Sequence, residues 1–541
     1  MNQSHDTSSE ANALEVWGGV ECTRNRVHSF WFDQTIRTGH YERLDDLDRI
    51  AALGLKTVRY PVLWEHAVKP TSGNYDWTWA DERLHRLREL GVNPIAGLVH
   101  HGSGPPETNL LSHSFATGLA KYAGALAARF PWVDSYTPVN EPLTTARFSA
   151  LYGHWYPHSS DDRSFARVLL NQCRAVILSM KAIREVRSDA RLVQTEDLGT
   201  TYSTAELQYQ ADFDNFRRWL TFDLLCGLVD RYHPLGSYLL SFGISERELE
   251  WFQEHSCPPD IIGINHYVTS DRYLDHRLEL YPPQTHGRNS RQPYADLESV
   301  RAPDQNDSRL GELLTQVWNR YQRPVAVTEA HLACGREDQV RWLSEVWNEA
   351  QAARQAGAEI RAVTVWALFG SFDWDSLVTR DRGHYEPGAF DIRGPAPRAT
   401  AVGSFVKTLA EGQTSDLPYL AQPGWWRRPE RVLNSQSSCV CSWHGSPILI
   451  TGGTGTLARA FARICQARAL PYRLLTRAQV DITNQDALAC ILDEIQPWAV
   501  VNAAGYVRVD DAEDDEEQCF RDNVCGPMIL ATVCADRDCH W

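Results

Sequence analysis

The 541-residue sequence has no apolar run near the roughly 18 residues of a membrane span. Its start, Met1 to Ala13, is polar and lacks an apolar h-region, so no secretory leader is expected. Basic residues are outnumbered, 53 Lys and Arg against 69 Asp and Glu, for a formal charge of −16. That balance argues against nucleic acid or an anionic membrane as partner. Thirteen cysteines are present, but none forms a CxxC pair; Cys439 and Cys441 form only CxC. No metal-ligand spacing is found, so no metal is expected, and with no leader free thiols are the default. No short internal repeat occurs. What remains is ordinary globular composition, 43% hydrophobic and 23% charged. A soluble, cytoplasmic protein is expected, with its oligomeric state open.

Two patterned regions are present. From about Val16 to Leu409, strand-like runs alternate with amphipathic helices. Strands are predicted at 55–60, 94–99, 135–138, 191–194, 261–264, 325–328 and 362–366. Helices are predicted at 80–90, 115–130 and 164–186. This rhythm suggests an α/β barrel, with a doubly wound sheet as the alternative. From Glu411 to Ser446 the periodicity fails, and a linker rich in Pro, Ser, Gln and Trp is expected. A second pattern then starts at Pro447: strand 448–450, helix 457–467, strand 472–475, helix 485–495 and strand 499–501. It is the opening half of a dinucleotide-binding fold. The expected organisation is therefore a polar tail (1–13), a barrel (14–410), a linker (411–446) and an incomplete dinucleotide-binding domain (447–541).

In a barrel, functional groups gather at the C-terminal ends of strands. Thr137–Pro142 follows one predicted strand and carries Glu141; Val325–Ala330 ends another and carries Glu329. Two carboxylates so placed can face each other across the mouth, as glycoside hydrolysis requires. Either glutamate alone would equally suit a helix cap or an ion pair. A third segment, Trp366 to Trp374, sets Trp366, Asp373 and Trp374 after one more strand. A carboxylate between aromatics suits sugar recognition; alone it equally suits a core stripe. The 19 tryptophans fit either view.

These segments, in this order and spacing, resemble glycoside hydrolase family 1, the β-glucosidase family, over about residues 16–409. The resemblance implies a (β/α)8 TIM barrel and a retaining hydrolysis of O-glycosides that needs no cofactor. It makes Glu329 the nucleophile and Glu141 the acid/base, with carboxyl groups about 5–5.5 Å apart. Val58-Arg59-Tyr60-Pro61 resembles the strand whose Arg lies beneath the nucleophile, and Gly263–Tyr267 the segment whose Tyr touches it. Arg59 and Tyr267 should then keep Glu329 ionised, while Glu141 must hold its proton near neutral pH. His100, Asn140, Trp366, Asp373 and Trp374 are implied to bind the sugar, with Asn140 on its 2-hydroxyl. The sequence departs from the family in four places. Gly19-Val20-Glu21-Cys22 lacks the family's early Gln. His101 stands where a Trp is usual, and Asp373 where a longer Glu is usual. Ala330-His331, not Asn-Gly, follows Glu329. The catalytic pair is kept and the sugar pocket altered.

In the second region, Thr451 to Ala458 follows a strand and opens a helix. Its glycines allow a tight turn and close approach of a pyrophosphate at the helix N-terminus, which makes Gly452, Gly455, Thr456 and Leu457 candidate contacts. No acid ends the next strand. Arg477 stands there and suits a 2′-phosphate, which favours NADP(H) over NAD(H). Val480–Thr483 and Val501–Tyr506 resemble the extended short-chain dehydrogenases of the dTDP-4-dehydrorhamnose reductase type. That resemblance, over 447–541, adds Asp481, Ile482, Ala503 and Ala504 to the cofactor site. The family's catalytic Tyr-x-x-x-Lys is not found, and no lysine follows Lys407, so reductase activity is not expected within these residues.

The expected fold class is α/β, a TIM barrel followed by a truncated Rossmann-like half-domain. Three functions are compatible with it. The first is a β-glycosidase carrying an incomplete NAD(P)-binding domain. The second is a bifunctional protein of a nucleotide-sugar or polysaccharide pathway. The third is a non-catalytic carbohydrate-binding barrel, against which the presence of both Glu141 and Glu329 argues.

Overall fold

The computed structural model describes residues 13–68, 74–303, 310–413, 415, 417–433, 446–467, 470–537 and 539–541. The expected polar tail lies outside these, apart from Ala13. By its internal contacts the chain divides into two compact units, Met1–His276 with Gly287–Val432, and Arg277–His286 with Leu433–Trp541.

Eight strands of the first unit form a closed barrel: β1 Glu15–Gly19, β2 Thr57–Pro61, β3 Asn93–Gly97, β4 Ser135–Thr137, β5 Arg191–Asp197, β6 Ile261–Asn265, β7 Val325–Ala330 and β8 Ile360–Val365. Each strand pairs in parallel with its sequence neighbours, and β1 closes the ring against both β2 and β8. The doubly wound alternative is thereby excluded. Strands such as Val-Ala-Val-Thr in β7 are apolar on both faces because both faces are covered. Trp17, Ile95, Val193, Ile261, Ala326 and Ala362 pack as one cluster inside the ring. This filled interior leaves the strand ends as the place for chemistry.

The outer helices follow their sequence periodicity. α1 (Thr78–Glu89) buries Leu84 and Leu87, and α2 (Ser114–Arg129) buries Phe115, Leu119, Tyr122 and Leu126. α3 (Pro142–Ala146) is a short turn that opens directly after Glu141. α4 (Asp162–Val186) packs along α2 and starts where Asp161 accepts a hydrogen bond from the Ser164 N–H at 2.8 Å. α5 (Leu310–Tyr321), α6 (Arg336–Gln355) and α7 (Ala401–Ala410) continue the pattern after β6, β7 and β8. A small sheet not anticipated from the sequence joins Thr201–Ser203, Arg272–Asp275 and Pro293–Glu298 in the segments that follow β5 and β6.

The expected linker is partly barrel. Up to Val432 it forms short 3-10 turns in the first unit. Trp426 is buried there, its indole edge-on to Trp342 at 5.4 Å and its N–H donated to Glu345 at 2.9 Å. Residues 434–445 lie outside the described residues.

The second unit contains a three-stranded parallel sheet, β9 (Ile448–Ile450), β10 (Tyr472–Leu474) and β11 (Ala499–Val501), with β9 in the middle. Helices α8 (Thr456–Ala467), α9 (Gln485–Ile495) and α10 (Gly526–Ala535) accompany it. Leu449, Leu488, Leu492, Val500, Leu530 and Val533 form its core. Since β10 and β11 flank β9 on opposite sides, the strand order reverses at β9. That is the switch point where open α/β sheets place ligands. Among the described residues no helix is long and apolar enough to cross a membrane, and no group of His, Cys, Asp and Glu could hold a metal.

Candidate active site

At the barrel mouth one guanidinium ties three strands together. Arg59, on β2, donates from Nη1 to Glu329 at 2.7 Å and to the Thr328 carbonyl at 2.7 Å. Its Nη2 donates to Asn140 Oδ1 at 2.7 Å. The same oxygen accepts from Thr195 Oγ1 at 2.7 Å, and Asn140 Nδ2 meets His100 Nε2 at 3.2 Å. The imidazole of His100 stacks on Trp366 at 5.4 Å and 9° between planes, and Arg59 lies over the same indole at 4.7 Å. The Trp366 N–H is donated to Glu21 at 2.9 Å. Arg59, His100, Asn140, Glu141 and Glu329 are all buried, as is Trp366.

Glu329 sits where the register of β7 against β6 shifts, between Val327 and Glu329. Such an irregularity re-aims a side chain at a strand end. The second oxygen of its carboxyl accepts a short hydrogen bond from the Tyr267 hydroxyl. Burial and the neighbouring Glu21 push this carboxyl up to about 7, against the opposing pull of Arg59 and Tyr267. The two partners therefore orient Glu329 and limit the rise without holding it in the ordinary carboxylate range.

Glu141 follows β4 by four residues and has φ of +47°, in the left-handed region. Its Oε1 accepts from Asn265 Nδ2 at 2.5 Å, and its Oε2 lies 3.6 Å from His101 Nε2. Burial holds the His101 imidazole down at about 3, so it is neutral. Glu141 thus has an amide and a neutral ring where Glu329 has a cation. Burial, with the charges of Glu329, Asp197 and Glu196 adding to it, raises its pKa well above the usual carboxylate range. Burial and its negative neighbours therefore favour the protonated form of Glu141.

Two expected sugar contacts behave differently. Trp374 lies beside His101 at 5.8 Å, and its buried indole N–H has no hydrogen-bond partner among the described residues. Asp373 does not serve the pocket as expected. Its carboxylate is wholly buried and accepts from Arg37 Nη1 at 2.7 Å and from the N–H groups of His384, Arg382 and Gly383 at 2.8, 3.1 and 3.4 Å. Both oxygens are spent in clasping the 373–384 loop to Arg37. Burial opposes ionisation, but these donors outweigh it and hold Asp373 below its ordinary value.

In the second unit the turn after β9 has Gly452 at φ +74°, where a Cβ would come within 2.3 Å of the Ala503 carbonyl oxygen. The Gly455 N–H closes the turn on the Gly452 carbonyl at 2.8 Å. Thr456 opens α8, and Leu457 is exposed. Ala503 and Ala504, half-buried, follow β11; the Ala504 N–H is donated to Asn502 at 3.2 Å. Arg477 is less available than expected. It pairs with Asp522 at 2.8 Å and Asp481 at 3.3 Å. Asp481 in turn accepts from the Thr483 N–H and hydroxyl at 2.9 and 2.8 Å. The Ile482 side chain is not free for a ligand: it is buried in the core against Gly526.

A family profile described as "Glycosyl hydrolase family 1" matches residues 22–383. The chain belongs to glycosyl hydrolase family 1. The family 1 region is similar in fold to a β-glucosidase from Thermotoga maritima solved in complex with azafagomine. The TM-score is 0.60 at 17% identity, over 75% of this chain and 99% of that one. The same organism's β-glucosidase in complex with galacto-hydroximolactam aligns with a TM-score of 0.60 at 18% identity, over 75% and 99%. A second profile, "RmlD substrate binding domain", matches residues 446–540. Over 116 residues the chain is 34% identical to a dTDP-4-dehydrorhamnose reductase from Mycolicibacterium smegmatis, covering 21% of this chain and 35% of that protein. It is 36% identical over 86 residues to an Aggregatibacter actinomycetemcomitans dTDP-4-dehydrorhamnose reductase, covering 16% and 29%. The chain spans about a third of the length of these curated relatives.

Several residues of the family 1 site were not singled out from the sequence. Asn265 lies within the quoted Gly263–Tyr267 segment, two residues before Tyr267, and holds Glu141. Glu21, next to the missing Gln, is buried between Trp366 and the Thr23 N–H, which it accepts at 2.8 Å. Thr195 and Glu196 lie just past the strand predicted at 191–194, within β5, and position in a barrel was the only available signal for them.

Proposed function

We propose that the barrel is a retaining β-glycosidase of O-glycosides. The observation that carries this reading is the unequal setting of two buried carboxyls at strand ends. Glu329, ion-paired to Arg59, is the nucleophile that attacks the anomeric carbon. Glu141, which keeps its proton, donates it to the leaving oxygen and then takes one from the water that releases the glycosyl group. Asn140 is held by Arg59, Thr195 and His100, so its amide meets the sugar 2-hydroxyl from a fixed position. Trp366, stacked on His100, forms the floor, and the unpartnered N–H of Trp374 donates to a sugar hydroxyl. With Asp373 committed to Arg37, the sugar is read without the carboxylate that the family resemblance placed there.

For the second unit we infer a dinucleotide site on the turn after β9. Gly452 and Gly455 leave its backbone bare, and the N–H groups at Thr456 and Leu457 are placed for a pyrophosphate at the start of α8. NADP(H) binding through Arg477 requires the 2′-phosphate to compete with Asp522 and Asp481. A second reading, a bifunctional protein of sugar-nucleotide reduction and glycan hydrolysis, is favoured by the 34% identity to the M. smegmatis reductase.

The test of the glycosidase reading is exposure to activated 2-deoxy-2-fluoro β-glycosides of the gluco, galacto, fuco and manno series, followed by intact mass. A glycosyl adduct mapped to Glu329 and lost in Glu329→Gln supports it. A folded protein that forms no adduct with any of the four and turns over no aryl glycoside supports the non-catalytic carbohydrate-binding reading instead.

A further inference from the structure

An N-terminal helix residue normally caps its own helix with its side chain. Glu141 precedes α3 but makes no side-chain cap. Its carboxyl is directed to Asn265 and His101. The open N–H groups of that turn need another acceptor, and the structure supplies one. Glu196, fully buried on β5, accepts from the Leu143 N–H at 2.8 Å and the Thr221 hydroxyl at 2.7 Å through Oε2. Through Oε1 it accepts from the Thr144 N–H at 3.1 Å and the Thr144 hydroxyl at 3.0 Å. The preceding residue of the same strand, Thr195, takes the Glu141 N–H on its carbonyl at 3.2 Å.

We propose that Glu196 is the positioning residue for Glu141: a remote cap that clamps the left-handed turn after the acid and lets the acid's own side chain enter the pocket. This inference rests on the glycosidase reading. Four donors occupy both oxygens, so Glu196 acts through Glu141 and not on substrate. Burial raises the Glu196 carboxyl itself to about 7, and in its ionised form, above that pH, its charge adds to those of Glu329 on β7 and Asp197 on β5 in raising the proton affinity of Glu141, while His101, after β3, is neutral. The Cys173 thiol of α4, which burial keeps protonated, also feels the charge of Glu196.

The test is Glu196→Gln in the full chain. An amide has one acceptor oxygen, so its NH2 opposes one of the two backbone N–H groups, and the charge is lost. Hydrogen exchange of peptides spanning 141–151 should speed up while other barrel peptides are unchanged. With an aryl glycoside, kcat should fall roughly 10–100-fold, as for a misplacement of about 1 Å, with KM near wild type. The basic limb of the kcat/KM profile should move to lower pH. Thr221→Val keeps the charge and removes one donor. It should speed the same exchange and lower kcat less, with the basic limb in place, and it carries the test if Glu196→Gln does not fold. Unchanged exchange at 141–151 in both variants overturns the clamp. Faster exchange with an unmoved basic limb and unchanged kcat overturns the link to the acid. Exchange needs no substrate, so a wild-type protein without hydrolysis would defeat the glycosidase reading and leave the clamp to be judged by exchange alone.

Discussion

The barrel mouth and the glycine turn of the second unit are both built where parallel strands end, yet they work by different physics. At the mouth the functional groups are side chains, buried and cross-linked, with Arg59 bonded at once to Glu329, Thr328 and Asn140. Desolvation there is strong enough to lift two carboxyls in the same pocket. At the glycine turn the proposed functional element is backbone. Arg477, the side chain expected to meet a 2′-phosphate, is half in solvent and already neutralised by Asp522 and Asp481. Deleting one atom at the mouth should therefore change chemistry by orders of magnitude. Changes at the turn should alter affinity alone.

The largest expected effect is at the carboxyl pair. Glu329→Gln should lower kcat/KM roughly 10⁴-fold or more, because it removes the attacking atom. Glu141→Gln should cost about 10²–10⁴-fold with a poor leaving group and less with an activated aryl group that needs no proton. Steady-state assays with a leaving-group series decide this; equal losses for all leaving groups would break the division of roles.

Next comes Gly455→Val. A Cβ at Gly455 would meet only the Gly452 carbonyl, at 3.2 Å, so the turn should fold. The side chain would stand where the pyrophosphate approaches. Calorimetric titration with NADPH should show at least about a tenfold loss of affinity, with barrel hydrolysis unchanged. Wild-type protein that binds neither NADPH nor NADH would remove the turn as a dinucleotide site.

Smaller effects separate structure from sugar recognition. Asp373→Asn should lower stability by about 1–3 kcal/mol in denaturant unfolding, since buried donors lose a charged acceptor. KM for the sugar should stay near wild type. A large KM rise at unchanged stability would restore the sugar contact that the sequence suggested.

The smallest effect is a stability difference with a defined sign. The folded-state pKa of Glu141 is raised, so the folded state binds its proton more tightly than the unfolded chain does. Ionising it therefore costs stability as pH rises from the unfolded value near about 4.3 through the higher folded value. Glu141→Gln avoids that cost. Its Tm should match wild type at acid pH and exceed it by a few degrees in mildly alkaline buffer. A variant less stable than wild type at high pH would mean that Glu141 has a stabilising partner there.

The contrast between the two regions also explains what was legible in the sequence. The runs predicted at 448–450, 485–495 and 499–501 coincide with β9, α9 and β11, and seven of the eight barrel strands lie within a few residues of prediction, with no strand predicted for β1. Local periodicity suffices for these elements because each buries an apolar run or stripe, such as Leu488 and Leu492 in α9 and the all-buried β7. Arg59, His100, Asn140, Glu141, Tyr267, Glu329 and Trp366 converge because each follows or ends a barrel strand. Asp373 was misread for a physical reason. Its partner Arg37 is 336 residues away in sequence, and a shorter carboxylate at φ +58° reaches the loop amides. Glu196 was missed because a buried carboxylate bonded to two backbone N–H groups leaves no local signature in a strand. The Ile482 side chain packs inward into the core, so only its backbone is left to meet a ligand.

The most direct test of the central claim, that Glu329 and Glu141 divide nucleophile from acid, is the stereochemistry of the first product. Proton NMR of the earliest anomer released from an aryl β-glycoside should show the β form, which later mutarotates. An initial α anomer would mean single-step inversion, and Glu329 could not then be the nucleophile.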